Sequence, residues 1–132
     1  MSDVNPEALA EEALKQLNEG DPRGAREKLL RAVEAAPERV DLLNALGVVH
    51  LQLGEPELAV RLIEEAVSRV DALVLTRPAA ERDHFTTMRD GFRLGLAAAH
   101  EDLDDPAGAL EQYRRILGDS PGQPRARQAL AH

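Results

Sequence analysis

The chain has 132 residues, of which 43% are hydrophobic, with two phenylalanines, one tyrosine, no tryptophan, no cysteine and a formal net charge of −8. This length suits one domain, residues 1–132, that buries about two thirds of its unfolded surface. The acidic charge argues against binding nucleic acid, whose phosphates are held by basic surfaces, and the lack of cysteine excludes disulfides and thiolate chemistry.

The sequence carries no signal for a membrane or for export. No stretch approaches the roughly 18 consecutive apolar residues that a membrane span needs. The first residues lack the basic and apolar regions of a secretory signal. We therefore expect a soluble, cytoplasmic protein with no membrane span.

Three segments, beginning at Gly20, Gly54 and Asp104, repeat one pattern of residues. In each, an acidic residue and a proline are followed by a small and a large residue at helical spacing. These positions hold Pro22, Pro56 and Pro106, then Ala25, Ala59 and Ala109, then Leu29, Ile63 and Tyr113. Proline at the first helical position loses no helical hydrogen bond, and an aspartate before it can cap the helix. The pattern predicts three sharply started helices that pack closely on a neighbour.

An amphipathic segment precedes each of these helices, so the sequence predicts helix pairs. We place the pairs at about 6–39, 40–75 and 78–121, with a final capping helix at 124–131. No competing β-strand pattern argues against this interpretation. The predicted fold class is all-α, with about six helices plus the C-terminal cap.

This arrangement resembles the tetratricopeptide repeat family. The first two segments begin 34 residues apart, which is the period of that family. The second unit keeps the family's characteristic positions at Leu46-Gly47, Gly54, Ala59 and Ala66. The resemblance implies three repeats of antiparallel helix pairs in a right-handed superhelical stack, an α-solenoid.

The third unit is displaced from this period by an insertion of 16 residues between the second and third repeats. An apolar stripe at helical spacing crosses the insertion, so we expect the second helix of repeat 2 and the first helix of repeat 3 to lengthen together, by about eight residues each. These helices would form a two-helix prong beyond the stack, with its tip near Arg77.

Two interpretations of the prong stay open. Its apolar side chains either hold the two helices together or form an oligomer surface, since a two-helix prong cannot cover its own apolar stripe completely. Those side chains are Val74, Phe85 and Met88. Arg82, Arg89 and Arg93 share one side of the later helix, which suggests either a solvated face or a site for an acidic partner segment.

The resemblance also implies a concave groove, because the family binds peptides or helices on the surface formed by the first helix of each pair. Its residues here would be Leu14, Leu17, Asn18, Asn44, Val48, Leu51, Gln52, Leu94, Ala98 and Glu101. The centre of this set is apolar and its ends are acidic, with Glu7 and Asp41 at one end and Asp102 at the other. This favours a protein or peptide partner with an apolar segment that carries Lys or Arg, whose backbone Asn44 and Gln52 would bond. Alternatively, the C-terminal helix or a second copy of the chain covers the groove.

The sequence offers no constellation typical of catalysis. The glycines are dispersed, so no phosphate-binding loop occurs, and the acidic pairs fall on predicted helix surfaces or turns. His50 and His100 occupy equivalent places in their repeats and are expected to be half-buried rather than metal ligands. We expect no enzyme, no metal site and no cofactor.

The leading functional interpretation is a non-catalytic adaptor that binds a partner peptide or amphipathic helix in the groove. One alternative is a homodimeric structural module that self-associates through the prong. Another is a small acidic chaperone for a secreted protein, because some of those chaperones resemble three-repeat chains of this size.

Overall fold

The structure, a computed structural model, describes residues 4–131. Within them the chain forms seven α-helices and no strand, which confirms the all-α class. The helices are α1 (Pro6–Asn18), α2 (Pro22–Ala35), α3 (Val40–Gln52), α4 (Pro56–Thr76), α5 (Ala79–Asp102), α6 (Pro106–Asp119) and α7 (Pro124–Leu130). Short turns make consecutive helices antiparallel, and each helix packs on the next.

The second helices of the pairs begin at the prolines of the repeated pattern. The side chains of Asp21 and Asp105 each accept a hydrogen bond of 3.0 Å from the backbone N–H three residues later. Glu55 stands at the same place before α4 and makes no such bond. A side-chain cap of this kind is worth about 1 kcal/mol, so α2 and α6 are fixed at their first turns more firmly than α4.

The turn before each of these helices contains one residue in the left-handed backbone conformation. The φ angles are 80° at Gly20, 77° at Gly54 and 55° at Asp104. Glycine adopts such angles without steric cost, and aspartate is among the few other residues that do. The three segments therefore share turn geometry as well as packing pattern.

Three apolar clusters form the core, and each joins consecutive helices: α1 to α3, then α3 to α5, then α5 to α7. Ile63 lies in the middle cluster and is fully buried. Gly47 of α3 faces it so closely that a Cβ at position 47 would lie 2.6 Å from Ile63 Cγ1. The glycine thus allows α3 and α4 to approach each other.

Helices α4 and α5 have 21 and 24 residues, whereas each of the other described helices has 14 or fewer. Arg69 of α4 donates a hydrogen bond to the carbonyl of Pro37 in the α2–α3 turn, and Asp90 of α5 accepts one from Ser120 just after α6. Residues 70–89 of α4 and α5 extend beyond these two hydrogen bonds, and we call them the prong. Its tip lies at Arg77, between the two helices, as predicted. The division of the chain into three repeats stays a prediction.

Candidate functional site

The predicted groove residues lie on α1, α3 and α5, and none of them is buried. Leu14, Asn18, Gln52 and Glu101 are exposed, while Leu17, Asn44, Val48, Leu51, Leu94 and Ala98 are half-buried. Leu14 has 60% of its surface exposed, an unusual state for a large apolar side chain in this chain. Apolar side chains on helices usually face the core, so this surface differs from an ordinary solvated helix face.

The structure brings Leu14 and Leu17 together in a recess between α1 and α3, called the first recess, with a volume of about 220 Å³. Across it lie Asp41 and Ala45 of α3, and Leu29 of α2 contributes to its floor. The full lining is Ala10, Ala13, Leu14, Leu17, Leu29, Asp41, Leu42 and Ala45. The sequence analysis missed Leu29 and Ala45 because it assigned the groove to one face each of α1, α3 and α5. The recess also reaches α2, which lies beneath them.

An arginine lies at the acidic end beside the first recess. Arg39, in the turn before α3, forms ion pairs with both Glu7 and Asp41. The hydrogen bond from Arg39 holds the pKa of Asp41 below its usual range. The chain itself thus supplies one cation for these two carboxylates, and the attraction of a basic partner to Glu7 and Asp41 stays a prediction.

A second recess, of about 440 Å³, lies at the other end of the groove where α5, α6 and α7 meet. It is lined by Glu101, Pro106, Ala109, Leu110, Tyr113 and Ala129. The Tyr113 hydroxyl donates a hydrogen bond of 2.8 Å to Glu101 Oε1. Burial, and then this bond, raise the pKa of Tyr113. The Glu101 carboxylate is thus held in a fixed position at an otherwise largely apolar wall.

Between the two recesses, Asn44 lies on the floor where α3 meets α5. Its Oδ1 atom is buried and has no hydrogen-bond partner among the described residues. The adjacent residue on α5 is Gly95, where a Cβ would lie 3.5 Å from Ile63 Cδ1 and 4.0 Å from Asn44 Oδ1. An unpaired buried polar atom costs about 1–3 kcal/mol, so this amide is not explained by packing alone.

The C-terminal helix α7 does not line the first recess. Ala126, Ala129 and Leu130 of α7 share an apolar cluster with α6 and with Leu94 of α5. The alternative in which this helix covers Leu14 is therefore wrong. Instead, α7 covers the third helix pair and leaves the α1–α3 end of the groove open.

The prong side chains Val74, Phe85 and Met88 are half-buried and pack against the middle apolar cluster. The Arg77 guanidinium lies 6.0 Å from the centre of the Phe85 ring, a distance typical of a cation–π contact. Leu75, by contrast, has 82% of its surface exposed near the tip. Sequence reasoning missed it because it lies beside the apolar stripe and not on it.

The arginine stripe on α5 is not a solvated face. Arg89 binds Asp71 and Asp119, and Arg93 binds Asp119 at 2.9 Å. The arginine side chains are only 11% and 9% exposed, so they tie α5 to α4 and α6. Arg82 alone of the three is exposed, and it donates a hydrogen bond to the carbonyl of Arg77.

His50 and His100 are half-buried, as predicted, and each approaches the residue before the next helix. His50 Nδ1 lies 3.1 Å from Glu55 Oε1, and His100 Nδ1 lies 3.0 Å from Asp105 Oδ2. These contacts join the end of one helix to the start of the next. Among residues 4–131, no group of three or more His, Cys, Asp or Glu side chains is placed to hold a metal ion, and none of the described helices is long and apolar enough to cross a membrane.

Comparison with known proteins decides the family. Family models described as tetratricopeptide repeat match residues 10–73 and residues 90–132. The chain belongs to the tetratricopeptide repeat family. Between the two matches, residues 74–89 are unmatched, and these residues form most of the prong. Membership of this family makes the chain a protein–protein interaction module.

One solved structure agrees with this assignment at the level of the fold. The N-terminal domain of stress-induced protein-1 (STI-1) from C. elegans is similar over 98% of both chains, with a TM-score of 0.72 and 15% identity. Two MamA structures are also similar, at 18% and 20% identity, covering 94% and 89% of this chain and 78% and 79% of theirs, with TM-scores of 0.44 and 0.39. None of the curated protein sequences matches the chain.

Proposed function

We propose that the chain is a non-catalytic adaptor that binds a segment of another protein in the groove formed by α1, α3 and α5. The observation that carries this proposal is the exposure of Leu14 beside an open apolar recess. Burying one leucine side chain contributes about 1.5–3 kcal/mol, so a partner side chain that covers Leu14 gains affinity. The half-buried Asn44, whose side-chain Oδ1 has no hydrogen-bond partner among the described residues, supports a further polar contact with the partner.

The experiment begins with a random dodecapeptide phage library panned against the purified chain. Leu14→Asp is expected to weaken binding of the selected peptides by about tenfold or more, because it replaces apolar contact with a charge. Leu14 is a better test position than Leu51, since Leu51 packs against the middle apolar cluster and its replacement would also affect stability. Binding is measured by isothermal titration calorimetry.

Leu58→Asp is the matched control, because Leu58 is an exposed leucine of α4 and lies outside the groove. It is expected to leave the affinity unchanged. Peptides that bind wild type and Leu14→Asp equally well would contradict the adaptor proposal. Thermal unfolding of both variants verifies that the fold is retained.

Self-association through the prong is a second candidate function, favoured by the exposure of Leu75. A large apolar side chain at a projecting tip is a candidate contact for a second copy of the chain. Light scattering in line with size exclusion, over a tenfold concentration range, is expected to give a mass above that of the monomer. Leu75→Glu should then restore the monomer, with Leu58→Glu as the control. A monomer at every concentration of the wild type would exclude this function.

A further inference from the structure

The two recesses occupy equivalent places in the stack. The first recess lies between α1 and α3, above Leu29 of α2. The second lies between α5 and α7, above Tyr113 of α6. The lining residues Leu17, Leu29 and Ala45 of the first recess correspond to Glu101, Tyr113 and Ala129 of the second, at one constant offset in the sequence. The groove therefore contains two recesses at equivalent positions of the stack, and their lining side chains differ.

The first recess suits an aliphatic side chain. Leu14 and Leu17 supply apolar walls, and Leu29 lies below them. The carboxylate of Asp41 lies at the edge but is paired with Arg39 at 2.6 Å. An incoming cation would compete with Arg39 here, whereas a leucine, isoleucine or methionine side chain would not.

The second recess suits a lysine or arginine side chain. Ala109, Leu110 and Ala129 offer apolar contact for the methylene stem, and Glu101 lies where the charged end would reach. The bond from Tyr113 uses one acceptor position of the Glu101 carboxylate and leaves others available. Asp102, the next residue, is exposed and forms no ion pair with the described residues, so it adds negative charge.

One positive charge opposes this arrangement. Arg125 of α7 lies close enough to Tyr113 for its charge to counteract the rise in the Tyr113 pKa. It forms no ion pair with Glu101 within the part of the chain that the structure describes. The Glu101 carboxylate thus has no cation bound to it, in contrast to Asp41 at the first recess.

We propose that the groove binds its partner segment in one direction, with an aliphatic side chain in the first recess and a lysine or arginine in the second. This inference rests on the proposed adaptor function and adds the chemistry and polarity of the segment. Directly packed helices lie about 8–10 Å apart, and α1, α3 and α5 are at least that far from one another, so the recesses are separated by roughly 20 Å or more. An extended segment spans that distance with about six residues or more, at roughly 3.3 Å per residue.

The test uses the dodecapeptides selected above, synthesised with the basic residue intact or replaced by glutamine. Selected peptides are expected to carry Lys or Arg at a constant side and spacing relative to a Leu, Ile or Met. Glu101→Gln should weaken binding of the basic peptides by roughly three- to tenfold and flatten the dependence of affinity on salt. It should not affect the glutamine-substituted peptides. Gln retains an acceptor for Tyr113, so the fold is conserved.

Two further variants control this test. Arg125→Ala should strengthen binding of the basic peptides, because it removes the opposing charge. Glu64→Gln, at an exposed position of α4 outside the groove, should leave binding unchanged. Two results would overturn this inference alone. In one, peptides that depend on Leu14 carry no basic residue; in the other, their affinity is unaffected by Glu101→Gln. Peptides that do not depend on Leu14 would overturn the adaptor proposal itself.

Discussion

Replacing Ile63 with alanine is expected to lower the free energy of unfolding by about 3–4 kcal/mol, within the range seen for buried Ile→Ala changes. Ile63 is completely buried between α3, α4 and α5. Its side chain lies against Gly47 of α3 and Gly95 of α5, neither of which has a side chain that could move into the space. The cavity would therefore stay largely open, and the packing of the second and third helix pairs would weaken together.

Urea unfolding followed by circular dichroism measures this effect. Ile63→Val, which removes a single methyl group, should cost only about 0.5–1.5 kcal/mol. A loss below about 1 kcal/mol for Ile63→Ala would contradict the central position that we assign to this side chain.

Replacing Asp119 with alanine is expected to have the second largest effect, a loss of about 2–3 kcal/mol. Asp119 accepts hydrogen bonds of 2.9 Å from both Arg89 and Arg93, whose side chains are nearly buried. Removing it leaves Arg93 with only a 3.4 Å hydrogen bond to the Arg115 carbonyl. Breaking a fully buried pair costs about 3–5 kcal/mol, and the partial exposure of Asp119 to solvent reduces that figure.

The exposed pair between Arg115 and Glu111, one turn apart on α6, provides the control. Glu111→Ala should cost at most about 0.5 kcal/mol, because exposed ion pairs contribute little. Urea unfolding compares the two variants under identical conditions. Equal small losses would mean that the Asp119 network contributes no more than a surface pair.

The sequence sufficed to predict the helix pairs because their signals are local. Pro22 and Asp21 act within one helical turn, and the small residues that allow close packing recur at fixed spacing. The lengthening of α4 and α5 was predictable for the same reason, since an uninterrupted apolar stripe indicates an uninterrupted helix. The tip of the prong near Arg77 followed from these lengths.

The features that sequence reasoning missed depend on contacts between distant segments. The helical period places Arg89 and Arg93 on one side of α5, but their partner Asp119 comes from α6. The sequence pattern alone therefore could not distinguish arginines exposed to solvent from arginines in ion pairs. Likewise, Arg39 belongs to a turn outside the groove positions, and its pairing with Glu7 arises only when α1 and α3 come together. Charge counted along a sequence therefore overestimated the acidity of that end of the groove.

The most direct test of the adaptor account is amide chemical-shift mapping on the ¹⁵N-labelled chain titrated with a selected peptide. The account predicts shifts along α1, α3 and α5, including Leu14, Val48 and Ala98, and the loss of these shifts in Leu14→Asp. Shifts confined to the prong around Leu75, or to the outer helices α2, α4 and α6, would contradict it.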